Sequence, residues 1–143
     1  MKVRKHIDGG LGEVEILVNC RTEAEFQKIF SKLDDRLSLD TVDGLWRLSQ
    51  AELVYLEVVG NYLELHTVTE QVYRIRSPLY KFLSKLSDDF IQISRSYVIN
   101  FEQLNSVEAD VINGLVARVG LADLKVPISR TYLKNIKRKV AES

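Results

Sequence analysis

The sequence predicts a mainly β fold with interspersed helices, preceded by a small strand-helix unit. Three observations carry that expectation. After Asp43-Gly44 the chain becomes a succession of short β-rich runs separated by turn residues. Two apolar stripes at spacings of three and four, following Ser77-Pro78 and Ser129-Arg130, interrupt this texture with helices. A third such stripe, Phe26, Ile29, Phe30, Leu33 and Leu37, lies ahead of it.

The elements follow in order. Glu13 to Asn19 alternates and predicts a strand; Thr22 with Glu25 is a capping-box pattern that opens a helix through about Asp35. This pair cannot bury its apolar face alone, so that face must pack on the rest of the chain or on a second copy. Leu45 to Leu48 and Leu53 to Val58 are expected strands, and Gly60-Asn61 a turn. Tyr62 to Thr67 and Gln71 to Arg76 form a hairpin around Thr69-Glu70. Ser77 is the expected N-cap of the next helix, with Pro78 at its first position, where a missing donor costs nothing. Leu79, Phe82, Leu83 and Leu86 give it one buried stripe. Strands resume at Phe90 to Ser94, Tyr97 to Asn100, Ser106 to Ala109 and Val111 to Ile112. Asn113-Gly114 suits a type I′ turn, because both central residues need positive φ. Leu115 to Val119 and Leu124 to Pro127 are the last strands. The terminal helix turns Tyr132, Leu133, Ile136 and Val140 inward and Arg130, Lys134, Lys137 and Arg138 outward.

With 143 residues, 45% of them hydrophobic, the chain can build a packed core. Formal net charge is +0, so no global field draws it to nucleic acid. The local distribution differs: Leu124 to Ala141 holds six basic residues, Lys125, Arg130, Lys134, Lys137, Arg138 and Lys139, and no acid. A single cysteine, Cys20, excludes an intramolecular disulfide, and no apolar run nears the roughly 18 residues of a spanning helix. The N-terminus has no apolar signal region. A cytoplasmic protein is expected, with any membrane connection made through a partner.

Enzyme chemistry finds little footing. The two histidines, His6 and His66, have no second ligand at zinc-like linear spacing, so no metal is expected; His66 reads as a structural residue of an alternating strand. Gly9-Gly10-Leu11-Gly12 follows no strand and precedes no Lys-Ser or Lys-Thr, which leaves a turn and not a phosphate loop. Ser94, Ser96 and Ser129 lack a companion base. Neither a cofactor nor a small-molecule substrate is expected. The acidic pairs Asp34-Asp35 and Asp88-Asp89 read as solvated breaks at helix ends.

Nucleic-acid reading fits better. Arg95 and Arg130, each preceded by serine, and the tip Asn61-Tyr62 sit where side chains project from loops. Arginine and asparagine make paired hydrogen bonds to guanine and adenine in the major groove.

From about Leu53 onward the sequence resembles the LytTR DNA-binding domain of bacterial transcription regulators. The resemblance rests on Val54-Tyr55-Leu56-Glu57 with Gly60-Asn61-Tyr62, on Tyr73-Arg74-Ile75-Arg76-Ser77-Pro78-Leu79, on Phe90 to Asn100 (FIQISRSYVIN), and on Val126-Pro127-Ile128-Ser129-Arg130-Thr131-Tyr132. It implies an elongated antiparallel β-sheet domain over residues 45–143 that inserts loops into successive major grooves. Carried over by position, base contacts fall to Asn61, Tyr62, Leu63, Arg95 and Arg130, and backbone contacts to Ser96, Tyr97, Ser129, Lys134 and Lys137. At the first loop the chain departs from relatives that place a histidine or lysine there.

The commonest relatives carry an upstream phosphorylated receiver domain, and residues 1–44 are too few for one. Control by aspartate phosphorylation is therefore not expected. The resemblance is closer to short regulators, some of them held inactive by an adjacent membrane protein. Residues 1–44 are accordingly expected to be a dimerisation or regulatory extension, and the partners to be double-stranded DNA, a second copy and an inhibitory membrane protein. The competing expectation is a protein-protein interaction module without DNA binding.

Overall fold

The structure, a computed structural model, describes residues 4–10, 12, 16–33 and 36–143. It divides into two compact units, Met1–Leu33 and Asp34–Ser143. In the first, helix α1 spans Glu23–Leu33. Thr22 Oγ1 accepts the Glu25 amide at 3.2 Å, and the Glu25 carboxylate accepts the Arg21 amide at 3.2 Å. This is a capping box whose return arm reaches one residue further than expected. Phe26 and Phe30, one turn apart, stack at 5.8 Å between ring centroids. Of the expected strand, residues 13–15 lie outside the described residues, and Ile16 to Asn19 form no strand. Residues 34 and 35, the expected helix end, also lie outside them.

The second unit begins its sheet earlier than residue 45. Strands β1 (Arg36–Thr41) and β2 (Gly44–Ser49) form a hairpin across the Val42-Asp43 turn, and β1 also meets β5 through Thr41 and Ile75. Leu37, expected on the first helix, belongs instead to β1. Its neighbours alternate exposed and buried with period two, and Leu37 and Leu39 are buried.

Strands β3 (Leu53–Val59), β4 (Tyr62–Thr67) and β5 (Val72–Ile75) continue the meander; helix α2 (Leu79–Leu83) follows, then β6 (Phe90–Gln92) and β7 (Tyr97–Asn100). The seven form one sheet in the order β2-β1-β5-β4-β3-β7-β6, every adjacent pair antiparallel. Strands β8 (Leu104–Asp110), β9 (Gly114–Val119) and β10 (Leu124–Ile128) form a second sheet, and helix α3 (Leu133–Glu142) ends the chain.

Alternation sorts the side chains into two cores. Leu56, Leu63, Leu65, Ile75 and Val98 point to one face of the large sheet, where they pack with Phe82 of α2. On the other face Val54, Ile91, Ile93 and Ile99 pack against Ala117, Val119 and Val126 of the small sheet and Ile136 of α3. A register shift between Leu53 and Tyr55 turns Val54 and Tyr55 to this second face. Asn100, 2% exposed, ties β7 to the start of β3: its side-chain amide donates to the Leu53 carbonyl at 2.9 Å and its Oδ1 accepts the Glu102 amide.

Three local expectations are corrected. Pro78, not Ser77, is the residue before α2; it stays extended at ψ 143°, and no side chain caps the helix. Val111 and Ile112 are not a strand but the exposed loop between β8 and β9. Asn113 does not share the positive φ of Gly114, at 78°, so the turn is not type I′. The Asp110 carboxylate instead accepts the Asn113 amide and side chain at 3.0 Å each, which closes a three-residue loop.

Candidate nucleic-acid interface

Antiparallel register brings three loops to one end of the large sheet. Val59 pairs with Tyr62 around Gly60-Asn61, and Gly60 takes φ +59° as the first central residue of that tight turn. Glu57 pairs with Tyr97 and Gln92 with Val98, so residues 93–96 lie at the same end. Two backbone bonds knit the loops together. The Val58 amide donates to the Ser96 carbonyl at 2.8 Å, and the Ser129 amide donates to the Ile93 carbonyl at 2.9 Å. The two Ser-Arg pairs, far apart in sequence, thus sit on hydrogen-bonded turns.

The Ser94 hydroxyl accepts the amides of Ser96 and Tyr97, at 3.3 and 3.0 Å, and so bends the loop that presents Arg95. Arg95 is exposed and, among the described residues, has no ion-pair partner. Arg130 is exposed at the start of a 3-10 turn, Arg130–Tyr132, and Ser129 precedes it with its side chain unused as a cap. Ser96 is half-buried and gives its carbonyl to Val58. Tyr97 donates its hydroxyl to Glu57 Oε1 at 3.0 Å, so it has no donor left for a phosphate while that bond stands. Burial, and then the Glu57 bond, push that phenol's pKa up.

At the tip, Asn61 is exposed and Tyr62 half-buried, but Leu63 is 1% exposed within the first core. Leu63 cannot reach a ligand without leaving that core, which leaves Asn61 and Tyr62 as the accessible side chains of the tip. The register supplies a feature missed in the sequence: Leu63 pairs with Ile75, and Arg74 and Arg76 lie over the Tyr62 ring at 5.5 and 5.6 Å. The alternation Arg74-Ile75-Arg76 around a buried isoleucine was the available signal.

Helix α3 begins beside these loops. Asn135 donates to the Gln92 carbonyl at 3.0 Å and Ile136 is buried, which leaves Lys134, Lys137 and Arg138 exposed. Val140, expected inward, is 53% exposed. The six basic residues are not equivalent. Lys139 pairs with Asp89 at 3.3 Å and Asp88 at 3.8 Å, so that acidic pair is not merely a solvated break, and Lys125 pairs with Asp110 at 3.5 Å. The cations left for a polyanion are Arg130, Lys134, Lys137 and Arg138.

Behind the tip, the face of β3 and β4 that carries Tyr55 also carries Glu57, Glu64 and His66, all three partly buried. His66 stacks on Tyr55 at 4.1 Å and 7° between planes, and burial pushes its pKa down although both glutamates oppose that. Among the described residues no helix is long and apolar enough to cross a membrane.

Two packed antiparallel sheets with a loop-built basic end define a mainly β class of domain, and comparison with known proteins specifies which. The sequence model of the LytTr DNA-binding domain matches residues 43–141, and the chain belongs to the LytTR family. It is 26% identical over 106 residues to the sensory transduction protein LytT of Bacillus subtilis (strain 168), an alignment that covers 72% of this chain and 42% of that protein. The chain therefore spans less than half the length of that curated relative. A solved LytTr DNA-binding domain from Bacillus cereus superposes with a TM-score of 0.64 at 20% identity, covering 75% of this chain and 97% of that one. That likeness establishes the shared fold.

Proposed function

We propose that this chain is a sequence-specific transcription regulator that inserts the loops at one end of its large sheet into the major groove, two copies acting at paired sites. The observation that carries the reading is the junction of the Arg95 and Arg130 turns through Ser129 and Ile93. It holds two guanidinium forks on a rigid scaffold, the form suited to guanine edges. Arg95, Arg130 and Asn61 read bases; Ser96, Ser129, Lys134 and Lys137 hold phosphates; Tyr62 stiffens the tip between the strands and the two arginines. Self-association, or capture by an inhibitory membrane protein, is assigned to the N-terminal unit, where Phe26 and Phe30 are 37% and 47% exposed.

Selection of bound sequences from a random duplex library tests this. A recovered motif repeated at a fixed spacing supports it. A second reading, a protein-interaction module, draws on the exposed Val42 and Leu45 beside edge strand β2. Failure to retain any duplex at low salt, with a stable protein complex instead, would favour that reading.

A further inference from the structure

Linear spacing offers His66 no fellow ligand, but the β3–β4 hairpin does. Its register sets Glu57 directly opposite Glu64, and His66, two residues beyond Glu64, falls on the same face. Two carboxylates directly opposed across a ladder repel one another. Their outer oxygens are each held by the protein: Arg74 Nη2 donates to Glu64 Oε1 at 2.7 Å and the Tyr97 hydroxyl to Glu57 Oε1 at 3.0 Å. Their other oxygens both face one atom, His66 Nε2, which stands 3.7 Å from Glu64 Oε2 and 4.0 Å from Glu57 Oε2.

That nitrogen is the second observation. It is buried, and among the described residues no group hydrogen-bonds to it. An orphaned buried nitrogen is costly, and hydrogen-bond satisfaction is the rule. Direct bonds to the carboxylates would need distances near 2.9 Å. The observed gaps are instead close to what an intervening ion requires. Zinc bonds of about 2.0–2.2 Å in tetrahedral geometry place ligand atoms roughly 3.3–3.6 Å apart; the nitrogen-to-oxygen gaps here, 3.7 and 4.0 Å, are a few tenths of an ångström wider, and all three ligand atoms lie within 4.8 Å of one another.

We propose that Glu57, Glu64 and His66 form a binding site for a divalent transition-metal ion of the zinc class, with Arg74 and Tyr97 orienting the two carboxylates from outside. The mixed nitrogen and oxygen donors favour such an ion over calcium or magnesium, which take oxygen ligands. Stacking on Tyr55 fixes the imidazole plane. Three protein ligands leave a fourth position open to water. The ion would neutralise the opposed carboxylates one same-face step behind the Val59–Tyr62 pair that closes the tip.

The test is titration of the full, metal-stripped chain with Zn2+ by calorimetry, paired with NMR of the imidazole nitrogens of its two histidines. One equivalent is expected to bind and to shift His66 Nε2, a result that needs no variant. His66→Gln is expected to abolish that binding, and Tyr97→Phe to weaken it roughly 10–100-fold, as loss of an orienting partner does. A His6→Gln, Cys20→Ser variant, which removes the chain's other imidazole and its thiol, is expected to bind as the parent does. Absence of stoichiometric binding, an unmoved His66 resonance, or binding lost only in the His6 and Cys20 variant would overturn the assignment.

Discussion

The backbone amide of Ser129 donates to the carbonyl of Ile93 at 2.9 Å, and this one bond joins the turn that presents Arg130 to the loop that presents Arg95. Neither arginine need be near the other in sequence for both to face one ligand. Arg95→Ala and Arg130→Ala should each cost about 1–3 kcal/mol on a selected duplex and much less on a scrambled one. Fluorescence anisotropy on both duplexes measures the difference. Equal losses on the two would make the arginines phosphate anchors.

The basic residues of α3 divide by their partners. Lys134→Ala and Lys137→Ala should weaken binding to every duplex alike, and each should lower the slope of log affinity against log salt by about 0.9. Lys139→Ala should leave that slope unchanged, because Lys139 is held by Asp88 and Asp89. A salt series on the three variants checks the division.

Leu63 and Asn61 are separated only by Tyr62 but differ in burial. Leu63→Ala should destabilise the fold by about 2–5 kcal/mol, as a core truncation does, measured by chemical denaturation. Asn61→Ala should leave stability within about 0.5 kcal/mol and act on duplex affinity instead.

Ser94 organises its loop without facing a ligand itself. Ser94→Ala removes the acceptor for the Ser96 and Tyr97 amides and should cost about 1–3 kcal/mol of stability. Affinity for the selected duplex should fall with it, because Arg95 loses its fixed turn. Unchanged affinity in a destabilised variant would show that the loop's shape does not matter to binding.

The N-terminal unit ends at Leu33, and β1 is already part of the sheet, so removal of residues 1–33 should leave the β domain folded. Removal of residues 1–44 deletes β1 and the buried Leu37 and Leu39, and should destabilise it. Sedimentation of the shorter deletion should show loss of self-association. Retention of the dimer would place the interface elsewhere.

Much of the fold was legible because period-two alternation and turn chemistry are local. Tyr62 to Thr67 and Tyr97 to Asn100 are strands over the expected residues. Errors arose where local signals compete. Val111 and Ile112 are β-branched yet lie in a loop that Asp110 closes with its side chain, and Leu37 continued a helical spacing by coincidence while serving a strand. The site was legible only in pieces. Arg95 and Arg130 stand out as Ser-Arg pairs, but their junction depends on the end of β10, in the small sheet, meeting the β6–β7 loop of the large one, which no linear spacing encodes. Glu57 opposite Glu64 follows from counting outward from the Gly60-Asn61 turn once that hairpin is accepted, and Arg76 over Tyr62 from the register of the next hairpin, which sets Leu63 opposite Ile75.

The central claim is that the loops at one end of the large sheet are the DNA-reading surface, and amide NMR titration with a selected duplex tests it most directly. Shifts are predicted to concentrate at Gly60, Asn61, Arg95, Ser96, Arg130 and the first turn of α3, with the edge strand Gly44–Ser49 unmoved. Shifts confined to that edge or to α1, with the three loops silent, would contradict it.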